Sequence, residues 1–342
     1  MGTRRIASWT PALGGALLTT LALAAPAWAA DKVRLPTVVS YELNLPSLVA
    51  TANGFYKEEN IDLTEFVLGS GGTMRTLLIN KEVDFALLAF VHVPLARAKG
   101  ALLKMVLATH DQEIFSLVVR SELKDKVKAV ADLRGLKVGF STPGAASWAL
   151  GSLYLRKAGL DPNKDVEFVS LGGDPRVIYT ALKTGKVDAF SAWEPTTTRV
   201  IDEGIAYPLT RIWEPAEHAK WVGEKALALG LVTREDVIKD KPDLVRRMVR
   251  ATKKGLDWVR SHSAAEILDA VLKDPRTADQ FKGLDRALAV KIIERIKPGF
   301  GTGCLSRGGF KVEMDLSVEY QILKAPATFE EFADTTFAGA CS

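Results

Sequence analysis

The sequence predicts an α/β protein of two lobes, each a central sheet flanked by helices, joined to one another by two crossover strands. Three observations predict it. Strand-like and helical stretches alternate, the pattern of parallel sheets with helices on their faces. The alternation runs through the same five features twice, an internal repeat. A chain of 342 residues also exceeds what one hydrophobic core usually holds.

The first copy opens with a strand over residues 33–40, a loop over 41–46 and a helix over 47–52 that ends at Gly54. The second opens with the strand Lys137-Val138-Gly139-Phe140, a loop over 141–144 and a helix over 145–158 that ends at Gly159. Each glycine stands where a helix C-cap needs a left-handed residue. A strand through Glu65-Phe66-Val67 then matches one through Glu167-Phe168-Val169. Glycine loops follow, Gly71-Gly72-Thr73-Met74-Arg75 against Gly172-Gly173-Asp174-Pro175-Arg176, each entering a short helix. Val83-Asp84-Phe85 and Val187-Asp188-Ala189 then lead into further apolar strands.

Residues 104–110 and 114–120 read as strands between the copies, and 226–233 as another after the second. The last is expected to pair with 114–120, the two connecting the lobes. From Pro242, Leu244, Val245, Met248, Val249, Leu256 and Val259 keep helical spacing. Further helices are expected over 264–272 and 284–296, a glycine-rich loop over 298–309 and an irregular tail from Thr328. The first lobe then comprises 30–117 and, after the second lobe at 118–226, the returning segment 227–342.

At the N-terminus, Arg4 and Arg5 precede an apolar stretch over 12–25, and Ala27-Trp28-Ala29 places small residues at a cleavage site. That stretch is short for a membrane helix, which needs about 20 residues. A cleaved signal peptide over 1–29, export, and a mature chain beginning at Ala30 are expected. Without Arg4 and Arg5 the net charge of +4 falls to +2. The chain has no long basic run, so it offers no footprint for nucleic acid. Cys304 and Cys341 are the only cysteines. In an oxidising compartment such a pair usually forms one disulfide, worth roughly 3–4 kcal/mol by loop closure, against the alternative of two free thiols. Their spacing, with scattered histidines, matches no zinc site.

Activated-nucleophile patterns and the phosphate loop ending in Gly-Lys-Ser/Thr are absent, so binding without turnover and without a cofactor is expected. In parallel sheets ligands bind beyond the carboxyl ends of the strands. That rule nominates loops at 41–46, 69–73 and 90–94 in one lobe and at 141–147, 172–176 and 193–196 in the other. Ser70, Gly71 and Gly72 precede one helix, and Ser141, Thr142, Ala146 and Ser147 stand at the start of another. Helix N-termini present free N–H groups and a positive dipole end, suited to a small anion, although such residues also serve as plain caps. Tyr41, Asn44, Trp193 and Glu194 are further candidates for ligand contact. Arg176 would neutralise an anion or sit in a surface ion pair. His92 and His110 read as ordinary polar residues.

Several stretches together resemble the nitrate/sulfonate/taurine-type solute-binding proteins of ABC importers, which include binders of thiamine precursors. They are Gly54-Phe55-Tyr56-Lys57-Glu58-Glu59 with Ile61, Ala131-Asp132-Leu133-Arg134-Gly135-Leu136-Lys137-Val138, and Trp193-Glu194-Pro195. The likeness spans residues 33–332. The resemblance implies a type II periplasmic-binding fold, a ligand held between the lobes, and a monomer delivering it to a membrane permease. It places Ser70, Gly71, Ser141, Thr142, Ser147, Trp193 and Glu194 in the pocket; the family's ligands range from inorganic anions to sulfonates and heterocycles, and Trp148, Trp193 and Tyr41 near the cleft favour a small organic anion. A heterocyclic thiamine precursor, or a periplasmic sensing role, is the alternative it implies. Glu194→Ala is then expected to weaken binding with the fold intact. Pyrimidine-making enzymes of similar fold use a cysteine cluster that two distant cysteines do not supply.

Overall fold

The computed structural model describes residues 1–3, 29–319, 323–339 and 341. The expected signal segment lies almost wholly outside the described residues. Among these, no helix is long and apolar enough to cross a membrane.

The first repeat forms β1 (Asp31–Thr37), α1 (Tyr41–Ala52), β2 (Ile61–Val67), α2 (Gly71–Ile79) and β3 (Phe85–Ala89), followed by α3 (His92–Arg97) and β4 (Leu103–His110). The chain then crosses to β5 (Ser116–Arg120). The second repeat forms β6 (Lys137–Phe140), α4 (Ala146–Lys157), β7 (Glu167–Ser170), α5 (Pro175–Lys183) and β8 (Ala189–Ala192), followed by α6 (Thr196–Asp202) and β9 (Ala206–Pro208). It returns to β10 (Leu229–Arg234), then α7 (Pro242–Ser261), α8 (Ala264–Lys273), α9 (Arg286–Ile296) and α10 (Arg307–Glu319).

The strand orders of the lobes mirror one another. In the second lobe it is β7-β6-β8-β5-β9. In the first, β2-β1 pair in parallel, β1 lies beside β3, and β3-β10-β4 complete the array. β5 runs antiparallel to β8 and β9, and β10 antiparallel to β3 and β4. Each lobe thus takes its odd antiparallel strand from the segment that has just crossed over. This corrects the expected pairing of 226–233 with 114–120. Both stretches are apolar enough for the centre of a sheet, and each finds two partners in the lobe it enters. Ser116 and Leu117 already pair with β8, so strand membership puts the first crossing before Ser116 rather than after 117.

β3, Phe-Ala-Leu-Leu-Ala, is buried throughout, as a strand covered on both faces must be. The long α7 packs on α1 so closely that a Cβ on Gly255 would lie 2.0 Å from the Pro46 carbonyl oxygen. Pro46 lies inside α1, not at its start. Ser40 caps the helix by accepting from the Leu43 N–H, and this cap starts α1 six residues before the sequence suggests. The expected loop at 298–309 ends early, because α10 begins at Arg307, and the tail holds two short helices, Phe329–Phe332 and Thr335–Ala338. Cys304 and Cys341 are joined as a disulfide.

Candidate functional site

Beyond the carboxyl ends of the strands, the two lobes meet around a small cavity of about 60 Å³, part of it open to solvent. The glycine loops touch across it: a Cβ on Gly173 would stand 2.5 Å from the Gly69 carbonyl oxygen. The Trp193 indole N–H donates to the Val39 carbonyl from the opposite lobe (2.8 Å).

Three helices begin at this cavity. Ser40 caps α1, and Ser70 caps α2 by accepting from the Thr73 N–H (3.2 Å). α4 has Ala145 at its cap position, which offers no side-chain acceptor, so the N–H groups of its first turn stay available. Ser141 and Ser147 fix the loop before it, Ser147 Oγ accepting from the Ser141 N–H (3.0 Å) and lying 2.8 Å from Ser141 Oγ. Three positive dipole ends therefore converge within walls that are otherwise apolar, with Leu43, Leu88, Ile114, Phe115 and Leu229 among them. Among the described residues no carboxylate lines the cavity, and His92 is the one titratable side chain in its wall.

His92 stands at the start of α3 with its Nδ1 3.1 Å from Arg75 Nη1. The arginine can only donate, so Nδ1 accepts and the ring proton sits on Nε2, beside Gly71. Burial, helped by the Arg75 charge, pushes the His92 pKa down to about 3, so the ring is neutral and donates from Nε2. Arg75 is itself buried. It donates to His92 and, at 3.4 Å, to the Gly144 carbonyl of the other lobe. Its Nε has no hydrogen-bond partner, and among the described residues no carboxylate forms an ion pair with it. Burial lowers its pKa, the mark of a cation whose surroundings do not compensate it.

Of the residues nominated from sequence, Ser70, Gly71, Ser141, Ala146, Ser147 and Trp193 come together in the cavity wall. Gly72 and Thr142 sit next to one another, a Gly72 Cβ lying 3.7 Å from Thr142 Oγ1, but neither lines the cavity. Tyr41 and Asn44 belong to a helix, not a loop, and neither lines this cavity; Tyr41 and Arg176 line a larger, open cleft beside it, with Gly69 and Gly173. The Tyr41 ring stacks on Phe281 at 4.3 Å and its hydroxyl donates to the Gln280 carbonyl, while Asn44 Nδ2 donates to Gln280 Oε1 (2.9 Å). Arg176 is exposed and paired with Asp174 at 2.7 Å. The residues missed are Arg75, His92 and Ser40. The repeat contained the signal for the first: Asp174 gives Arg176 its own counter-ion, whereas the equivalent position before Arg75 is Thr73.

Glu194 lines a second, smaller cavity of about 30 Å³ on the crossover side, with Glu42, His110, Trp213 and Arg295. Its carboxylate accepts from the Thr198 N–H (2.9 Å) and Oγ1 (2.6 Å) and pairs with Arg295 (3.5 Å). Direct ligand contact is therefore corrected to a structural role. Glu194→Ala is expected to cost about 2–4 kcal/mol of stability by leaving the Arg295 charge and Thr198 donors unpaired. Urea unfolding would show it as a lower midpoint at unchanged slope.

The family described as NMT1/THI5 like matches residues 44–265. The provisionally named binding protein YtlA of Bacillus subtilis (strain 168) is 24% identical over 273 residues, 78% of this chain and 75% of that one. A Saccharomyces cerevisiae protein named 4-amino-5-hydroxymethyl-2-methylpyrimidine phosphate synthase THI5 is 24% identical over 225 residues, 63% of each chain. Among solved structures, the alkanesulfonate-binding protein SsuA from Xanthomonas axonopodis pv. citri bound to MOPS superposes with a TM-score of 0.69. At 19% identity that match covers 86% of this chain and 96% of SsuA, which shows a shared periplasmic-binding fold. With a repeat, a mirrored pair of sheets and a family match over more than half of its length, the chain belongs to the NMT1/THI5-like family.

Proposed function

We propose that this protein is the exported, periplasmic solute-binding component of an ABC importer, and that it holds a small organic anion in the cavity between its lobes. One observation carries the reading: Arg75, a buried guanidinium without an acidic partner, stands directly behind a neutral His92 donor where three helix N-termini converge. An anion supplies the charge that this arrangement lacks. SsuA, a relative in fold, is described as an alkanesulfonate-binding protein, which supports the same class of ligand.

The cavity narrows the class further. With no carboxylate in its wall among the described residues, it offers no counter-charge to a ligand ammonium group, so taurine fits less well than a sulfonate or carboxylate on an apolar body. A single neutral histidine with its pKa near 3 is a poor base, and no second titratable group lines the site, which favours capture over turnover. Ligand would bind one lobe and contacts from the other would stabilise the closed form, which docks on a permease. The lobes then divide at the crossings between β4 and β5 and between β9 and β10.

A thermal-shift panel on the mature chain tests the reading, with 1-butanesulfonate, taurine, nitrate, benzoate and an aminopyrimidine. A ligand at 100 times its dissociation constant adds about 2.7 kcal/mol, a readily measured shift. Butanesulfonate or benzoate is expected to shift the melt and taurine far less. A shift from the aminopyrimidine alone would replace the anion reading with the heterocyclic one.

A further inference from the structure

The wall between the two cavities contains a buried acid pair that spans the lobes. Glu42, in the first turn of α1, accepts the Glu194 backbone N–H from the end of β8 at Oε1 (2.8 Å). Its Oε2 lies 3.0 Å from Ser40 Oγ, and that hydroxyl also accepts the Leu43 N–H. Ser40 lines the ligand cavity, whereas Glu42 lines the second one. Both carboxyls are buried, and Arg295 is the one cation paired with either of them among the described residues.

Two carboxylates facing one guanidinium in a buried site leave one negative charge uncompensated, and a proton removes it. The donors decide which acid takes it. Glu194 receives two hydrogen bonds from Thr198 and the Arg295 charge, all of which favour its ionised form. Glu42 takes N–H donors from the Glu194 and Glu42 backbones but no cation pairs with it among the described residues, and its Oε2 meets the Ser40 hydroxyl, which accepts as readily as it donates.

We propose that Glu42 is a positioning residue which carries a proton in the ligand-bound protein, and that this proton turns the Ser40 hydroxyl into the cavity as an anion donor. This rests on the anion reading of the site. When Glu42 is protonated, Oε2–H donates to Ser40 Oγ and leaves the serine proton free for the ligand. When Glu42 is ionised, Ser40 must donate to it and has nothing to offer the anion. The proton comes from solvent and returns there on release, so anion and proton bind together.

The surroundings agree. Burial and the Glu194 charge hold the Glu42 pKa at about 8. Tyr41, the adjacent residue of α1, is kept neutral by burial and by the charges of Glu194 and Glu42. From the crossing segment, His110 is neutral, its pKa pushed down to about 3 by burial and by His218. Glu113, also buried there, is raised to about 7 and hydrogen-bonded with Glu313 of α10. It titrates in the same range, so the test compares variants that all retain it.

Glu42→Gln is the informative variant, because its amide oxygen can accept the Glu194 N–H while its NH₂ donates to Ser40 at every pH. Without ligand, a folded-state pKa above the ordinary 4.5 gives stability that is full below that value and lost as pH rises through about 8. The melting temperature of the unaltered protein is therefore expected to fall relative to Glu42→Gln between pH 5 and 9. Parallel curves would remove the proton from Glu42. With 1-butanesulfonate, calorimetric affinity is expected to drop by up to about tenfold from pH 6.5 to 9 in the unaltered protein. It should stay level in Glu42→Gln, and be low and level in Ser40→Ala. A pH-independent affinity in the unaltered protein would overturn the coupling. Failure of butanesulfonate and the other panel anions to bind at either pH would instead overturn the anion reading and the coupling with it, and the ligand-free melts would still decide the proton.

Discussion

Replacing Arg75 by glutamine is expected to weaken anion binding by about 10- to 150-fold while leaving the ligand-free protein as stable as before, or more so. The first half follows from the worth of a hydrogen-bonded charge, about 1.5–3 kcal/mol, at tenfold per 1.4 kcal/mol. Arg75 acts on the ligand through His92, whose Nδ1 it occupies and whose Nε2–H it thereby directs. Glutamine can still donate to that nitrogen, so the variant removes charge and keeps the tautomer. The second half follows from the missing counter-ion, since a buried cation that nothing neutralises costs free energy in the empty protein. Calorimetry with the best anion of the panel, alongside thermal melts, reads both. An affinity within about threefold of the unaltered protein would sink the role given to Arg75. So would an affinity loss matched by an equal loss of stability.

Gly173→Ala should be as damaging to binding by a different route. The new methyl would point at the Gly69 carbonyl oxygen from 2.5 Å, and that neighbour is backbone with little freedom to move. The glycine loops of the lobes must then separate, and overpacking of this kind typically costs about 1–3 kcal/mol. That cost falls on the arrangement in which the lobes touch and not on either lobe alone, so affinity should drop about 5- to 150-fold with little change in the melt of the free protein. Solution scattering would show the variant remaining extended at anion concentrations that compact the unaltered chain. Equal compaction of both would show that the loops yield.

The fold was largely legible because the repeat displays it twice. Alternation of strand and helix, the glycine C-caps at Gly54 and Gly159 and the apolar run of β3 each report a local constraint, and local constraints survive in sequence. The start of α1 is hard to read because Pro46 places 41–46 in a loop by its residue type, while the cap that sets the start is a single Ser40 hydroxyl. That one error placed Tyr41 and Asn44 in a loop and made them candidates. Half of the site residues named from sequence line the cavity, and they are those contributed by strand ends and helix starts. Sequence misses Arg75 and nominates Glu194, which lies outside the first cavity's wall, for a shared reason: whether a charged side chain faces a ligand or a partner depends on what lies across the lobes. Sequence spacing does not record that, except where a neighbour such as Asp174 supplies the partner locally.

The exchange of antiparallel strands has a consequence for the order in which the chain can be completed. All five strands of the second sheet lie within one continuous stretch, from Ser116 to Pro208. In the first lobe β3 and β4 are joined through β10, so both present bare edges until the chain is complete through Arg234. The lobe that begins the polypeptide is thus the last to close, and during that interval its apolar edges are a site for mispairing with other chains. A fragment ending before Leu229 should contain a competent second half and an adhesive first one. A protein of this design therefore relies on holding its earliest segments apart until its latest ones arrive.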